Sequence, residues 1–218
     1  MIRVNIICEG PTEETFVNKI LVPHFQRKGI LITPRNIGTG NQYKKLRKNL
    51  VQWLKNDKAA YVTTLIDLYG MNKDFPGYLK NKAKAPYEKV KAVEAAVKAD
   101  IEKTGADVRK FLPHFQLHEF EALLFSEPEI LQDWLSLDRN IRPRQFRRIR
   151  DSFETPEHIN DNPNTAPSKR IEKAASSYSK VAEGVLIAED IGLDRMRKAC
   201  KHFDGWLNAL EALAPEKT

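Results

Sequence analysis

The chain has 218 residues, of which 41% are hydrophobic and 30% charged, enough for one large domain or one domain with a sizeable extension. Lys and Arg number 36 against 29 Asp and Glu, a formal charge of +7 that favours polyanions as partners. No apolar run approaches the roughly 20 residues that cross a bilayer, and the N-terminus enters a strand pattern without the features of a signal peptide, so the expectation is a cytoplasmic protein with no membrane contact. Two cysteines, Cys8 and Cys200, make no disulfide framework and suit a reducing cytosol, and no Cys/His cluster has zinc spacing.

The pattern opens with a short apolar strand over about 2–9, ending in Glu9 and Gly10. A helix is expected over 13–28, with Thr12 as N-cap and Phe16, Ile20, Leu21 and Phe25 on one face. A second strand covers 30–33, and a glycine turn at Gly38-Thr39-Gly40 leads to a helix over 42–56 striped by Leu46, Leu50, Trp53 and Leu54. A third strand, 60–67, ends in Asp67. After a loop from Tyr69 to Pro86 come a helix over 87–103, carrying Val90, Val93, Val97 and Ile101, and a fourth strand over 111–117 weakened by Pro113. This alternation predicts an α/β fold with a mainly parallel sheet of about four strands and flanking helices. Strand signals then cease. Helices are expected at 119–125, 127–136, 143–153, 167–183, 188–191 and 194–212. The expected organisation is an α/β domain over 1–125 and a helical extension over 126–218.

Three groups of residues carry candidate chemistry. Glu9 and Asp67 each end an apolar strand, where open α/β sheets bind ligands, and Gly10 lets the backbone approach one closely. Paired hard oxygen donors suit Mg²⁺ or Mn²⁺, and the repulsion of like charges favours a cation between them. In His118-Glu119-Phe120-Glu121, a helix starting at this point puts His118 and Glu121 on one side, with Glu119 as an alternative ligand. Lys169 and Arg170 sit in the first turn of a helix begun by Pro167, an unfavourable place for cations unless they serve an anion such as phosphate. Arg142, Arg144, Arg147 and Arg148 belong to a dense arginine cluster that suits nucleic-acid contact or a partner surface. No P-loop, dinucleotide fingerprint or Gly-x-Ser-x-Gly elbow is present.

Glu9-Gly10 after a first strand, an acid after the third, and the βα alternation resemble the Toprim domain of topoisomerases, primases and nucleases of the overcoming-lysogenization-defect type. More specifically, Cys-Glu-Gly-Pro-Thr-Glu at 8–13, Asp67-Leu68-Tyr69-Gly70, Phe75-Pro76-Gly77, His118-Glu119-Phe120-Glu121-Ala122 and the stretch from Ile159 through Ala166-Pro167-Ser168-Lys169-Arg170 are similar to a bacterial Toprim-like family of unknown function. The resemblance implies Glu9 as general acid/base or metal ligand and Asp67 as the first acid of an Asp-x-Asp motif. The second acid is replaced by Tyr69, so that Glu121, Glu119 or Asp74 must supply the missing ligand or the site is weakened. It further implies an ATPase partner and a role in phage defence. The resulting expectation is a Mg²⁺-dependent nuclease in which Glu9, Asp67 and Glu121 hold the metal, His118 moves a proton and Lys169 and Arg170 steady the phosphate. The alternative is a non-catalytic nucleic-acid-binding or regulatory subunit of an ATPase complex. A homodimer is compatible with either.

Overall fold

The computed structural model describes residues 1–38, 42–137, 139–159, 162 and 164–215. The Gly38-Thr39-Gly40 turn and the stretch following Ile159 therefore lie partly outside the described residues. The chain forms two compact units, one of Met1–Gln116 with Trp206–Thr218, the other of Leu117–Gly205.

The first unit is built on a parallel sheet. Its strands are β1 (Ile2–Cys8), β2 (Ile30–Asn36), β3 (Tyr61–Asp67), β4 (Phe111–Leu112) and β5 (Phe115–Gln116), in the order β2-β1-β3-β4, with β5 also pairing β3. Val4 through Cys8 and Val62 through Asp67 are buried without interruption. That is the signature of central strands covered on both faces. β2 lies at the edge and tolerates Pro34 there, because an edge strand has a side with no ladder to donate to. The fourth strand is present in two pieces, since Pro113 interrupts it. Thr64 bridges the gap: its hydroxyl donates to the His114 carbonyl at 2.6 Å and accepts the His114 N–H at 3.0 Å.

The first helix starts at Pro11, earlier than expected, with Gly10 and not Thr12 as N-cap. It runs as α1 (Pro11–Phe16), a wider-wound segment Val17–Leu21, and α2 (Val22–Gln26). Pro23 removes a backbone donor and crowds the preceding turn, and the wider winding accommodates it. α3 (Tyr43–Asn56) buries Leu46, Leu50 and Leu54, and α4 (Pro86–Glu102) buries Val90, Val93, Val97 and Ile101. Gly77, at φ +78, packs so tightly on α4 that a Cβ there would come within 2.8 Å of Ala96 Cβ. The C-terminal residues of α10 (Lys201–Glu211) complete this unit. Trp206 donates its indole N–H to the Thr63 hydroxyl at 2.8 Å and stacks on His114, and Glu211 meets His24 at 2.6 Å.

The second unit is helical. It contains a 3₁₀ segment, Phe120–Ser126, then α5 (Pro128–Ser136), α6 (Gln145–Asp151), α7 (Pro167–Ala174), α8 (Val185–Ile191), α9 (Leu193–Ala199) and the start of α10. Two expected helices are broken. The one over 167–183 stops at Ala174, before Ser176-Ser177, residues that favour caps and turns. The one over 194–212 breaks at Cys200, where the fully buried Glu157 carboxylate accepts the N–H groups of His202 and Phe203, both at 3.0 Å. A carboxylate distant in sequence thus caps α10, which no local pattern reveals. Among the described residues no helix is long and apolar enough to cross a membrane.

Candidate functional site

The order β2-β1-β3 means that the chain leaves β1 toward one side of the sheet and returns to the other as β3. The gap between the C-terminal ends of β1 and β3 is therefore a topological switch point, where adjoining loops diverge and open a crevice. Glu9 and Asp67 flank that point. Glu9 is held on the ladder by its N–H, which donates to the Leu65 carbonyl at 3.2 Å. The chain then turns away at Gly10, and Asp67 is left facing no further carbonyl of β1. The Glu9 carboxylate takes that place, its Oε2 accepting the Asp67 N–H at 3.0 Å. Two acids are thus brought together at one edge by the main chain itself.

Gln116 and Glu13 complete this edge, and the sequence pattern singled out neither. Gln116 lies in register with Asp67 on the neighbouring strand, and its carbonyl accepts the Leu68 N–H at 2.8 Å. Its side chain is fully buried, and neither amide atom has a hydrogen-bond partner among the described residues. The signal available was a polar residue closing an apolar strand in line with two others that end in acids. Glu13 is buried and accepts the Gly10 N–H at 3.0 Å. Gly10 therefore spends its N–H inside the protein rather than on a phosphate. Its φ of −155° is extended backbone open to any residue. Tyr69 is half-buried and Asp74 exposed. Carboxylates and an amide are hard-oxygen donors, the chemistry that suits Mg²⁺ or Mn²⁺.

In the second unit, the helix expected from His118 begins two residues later. His118 adopts φ +63, a left-handed conformation rare outside glycine, and Glu119 is extended. His118 and Glu121 therefore do not share a helical face. The Glu119 carboxylate accepts the Ser168 N–H at 2.9 Å and so occupies the start of α7. An internal carboxylate thus offsets the dipole at that helix end, and the side chains of Lys169 and Arg170 remain as the candidate phosphate-binding groups there. Glu121 is fully buried, 3.3 Å from Lys180 Nζ. Burial pushes its carboxyl up to about 7, with Lys180 opposing the rise and Glu119 adding to it. The Tyr178 hydroxyl is pushed up by the same burial and by Glu121.

Lys169 pairs with Glu172 at 2.7 Å, and Arg170 donates to the Thr165 carbonyl at 2.7 Å while lying over the Phe153 ring. Burial lowers the Arg170 pKa. Both residues line a groove of about 700 Å³ together with Arg142, Arg148 and Lys173, with no acid among its described lining. Two stretches separate in sequence thus form one basic surface. Arg147 lies outside it, neutralised by Glu129 and by Asp151 at 3.8 Å, and Arg144 serves as the N-cap of α6 at φ +57. Cys8 and Cys200 are buried free thiols whose pKa values burial raises, which makes them poor nucleophiles.

Fold and site together define an α/β protein with paired acids at a sheet switch point and a separate basic groove. Residues 8–211 match the family described as Domain of unknown function (DUF4276), and the chain belongs to that family. No curated protein matches the sequence. Among solved structures, the C-terminal region of the Burkholderia pseudomallei OLD protein is similar at 14% identity, with 95% of this chain and 98% of that chain covered and a TM-score of 0.46. The C-terminal region of the Xanthomonas campestris pv. campestris OLD protein is similar at 14% identity, covering 96% and 98%, with a TM-score of 0.40. Likenesses at these scores are loose.

Proposed function

We propose that the chain is a Mg²⁺- or Mn²⁺-dependent nuclease acting on nucleic-acid phosphodiesters, working in the cytosol in phage defence with an ATPase partner. The observation that carries this reading is the Glu9 carboxylate seated on the Asp67 N–H at the switch point of a parallel sheet. Glu9 and Asp67 would hold the cation. Once bound, a divalent ion would polarise a phosphoryl oxygen and lower the pKa of a coordinated water. Glu9 is oriented for this task before any ion arrives, because its carboxylate is fixed by a main-chain hydrogen bond rather than by a mobile side chain. His118 supplies an imidazole for proton transfer. Arg142, Arg148, Lys169, Arg170 and Lys173 hold the phosphate backbone. Glu119, which caps α7, and Glu121, which is sealed against Lys180, act as supports of the second unit and not as ligands.

A second reading, a non-catalytic nucleic-acid-binding subunit of an ATPase complex, is favoured by one observation: Tyr69 stands where the resemblance expects the second acid. The two are separated by cleavage assays on DNA and RNA with Mg²⁺, Mn²⁺ or EDTA. The nuclease reading expects metal-dependent cleavage that Glu9→Gln reduces by about 100-fold or more, above the 10–100-fold typical of losing an outer-shell partner. Folding and nucleic-acid binding should survive the substitution. Absence of cleavage by the wild type with either metal, even with its ATPase present, would establish the binding subunit instead.

A further inference from the structure

Gln116 presents a problem that the acid pair by itself does not explain. Its side chain is fully buried, yet neither its amide oxygen nor its amide nitrogen has a hydrogen-bond partner among the described residues. An unsatisfied buried polar group destabilises a fold, and an apolar residue of similar shape would avoid that cost. The residue is also tied to Asp67. The two are register partners on adjacent parallel strands, and such partners project to the same face of a sheet, about 4.8 Å apart. Gln116 thus ends the third of three neighbouring strands, β1, β3 and β5, whose other two ends carry Glu9 and Asp67.

We propose that Gln116 is a metal ligand: its amide oxygen joins the carboxylates of Glu9 and Asp67 around a single divalent cation. This inference rests on the reading of Glu9 and Asp67 as a cation site. The chemistry agrees with it in two ways. Amide oxygens are ordinary ligands of hard cations. Two carboxylates and one neutral amide also match the charge of one doubly charged ion, with the nearby Glu13 engaged by the Gly10 N–H. The place of the acid missing at Tyr69 is therefore filled from β5, by a neutral donor that suits one ion rather than two.

The test is Mn²⁺ binding to metal-free protein, followed by the loss of the free-ion electron paramagnetic resonance signal, with thermal melts on the same samples. Gln116→Leu removes the donor and also the two unsatisfied atoms. It should weaken Mn²⁺ binding about tenfold or more while leaving the melting temperature of the metal-free protein unchanged or raised. Gln116→Glu retains the oxygen and adds a charge, and should bind Mn²⁺ at least as tightly as the wild type. Should the leucine variant fail to fold, Gln116→Met, which matches the length of glutamine, takes its place. If Asp67→Asn abolishes Mn²⁺ binding but the leucine and methionine variants retain wild-type affinity, the ligand role of Gln116 is overturned and the acid pair stands. If the wild type binds no Mn²⁺, the cation reading of the acid pair fails, and the role of Gln116 falls with it.

Discussion

At the scale of single residues, Glu121 shows how context reverses an inference drawn from type and spacing. A helix side expected to be shared with His118 recommended it as a ligand, yet the fold buries it completely, 3.3 Å from Lys180. Burial raises its pKa from the usual 4.5 to about 7, against the opposing pull of Lys180. A raised carboxyl means that the folded protein binds more protons than the unfolded chain between those two values, so stability falls as pH rises through that window. The stabilising contribution is complete below about pH 4.5 and lost above about pH 7. Glu121→Gln removes this dependence. In EDTA, thermal melts of the two proteins should nearly coincide near pH 4.5, with the variant gaining up to about pH 7 and the difference levelling off above it. A difference that stays flat across that range would show that Glu121 does not titrate there. Glu9 and Asp67, by contrast, stand out in the sequence itself, because an acid closing an apolar strand is anomalous on local grounds.

At the scale of elements, apolar periodicity located the helices well, and it failed where the deciding partner is remote. The stripe of α4 is buried as its spacing requires, and that of α3 is buried at Leu46, Leu50 and Leu54, while Trp53 stays half-buried under Arg35. The break at Cys200 depends on Glu157, 45 residues before His202, and the occupied start of α7 depends on Glu119, 49 residues before Ser168. The arginine cluster was legible as a cluster but not as a surface. Arg147 is spent on Glu129, whereas Arg142 and Arg148 converge with Lys169, Arg170 and Lys173, which lie about two dozen residues further on. Among the described residues no ion pair joins Arg142, Arg148 or Lys173 to an acid. These three are therefore the cations most available to phosphates. Replacing all three with Ala should weaken nucleic-acid binding to a similar degree across sequences. It should also reduce the slope of log K against log[salt] by up to about 2.7, at roughly 0.9 for each duplex phosphate no longer neutralised. An unchanged slope, measured by fluorescence anisotropy over a salt series, would remove the groove from the binding surface.

At the scale of the whole molecule, the βα alternation of the first half sufficed to predict a parallel sheet, and the uninterrupted burial of β1 and β3 explains why those strands read as continuous apolar runs. The strand order was not legible, because no local signal distinguishes a chain that returns to one side of β1 from one that returns to the other. Nor was the return of the chain's last residues to the first unit, where Trp206 is anchored on Thr63 and His114. Strand order creates the switch point, and the switch point makes an acid pair out of two acids 58 positions apart. The central claim, that this pair holds a divalent cation, is tested most directly by crystals soaked in Mn²⁺ and measured for anomalous scattering. One strong peak is expected within about 2.0–2.6 Å of carboxylate oxygens from both Glu9 and Asp67. A map with no peak at that edge of the sheet, or with Mn²⁺ bound only elsewhere, would contradict it.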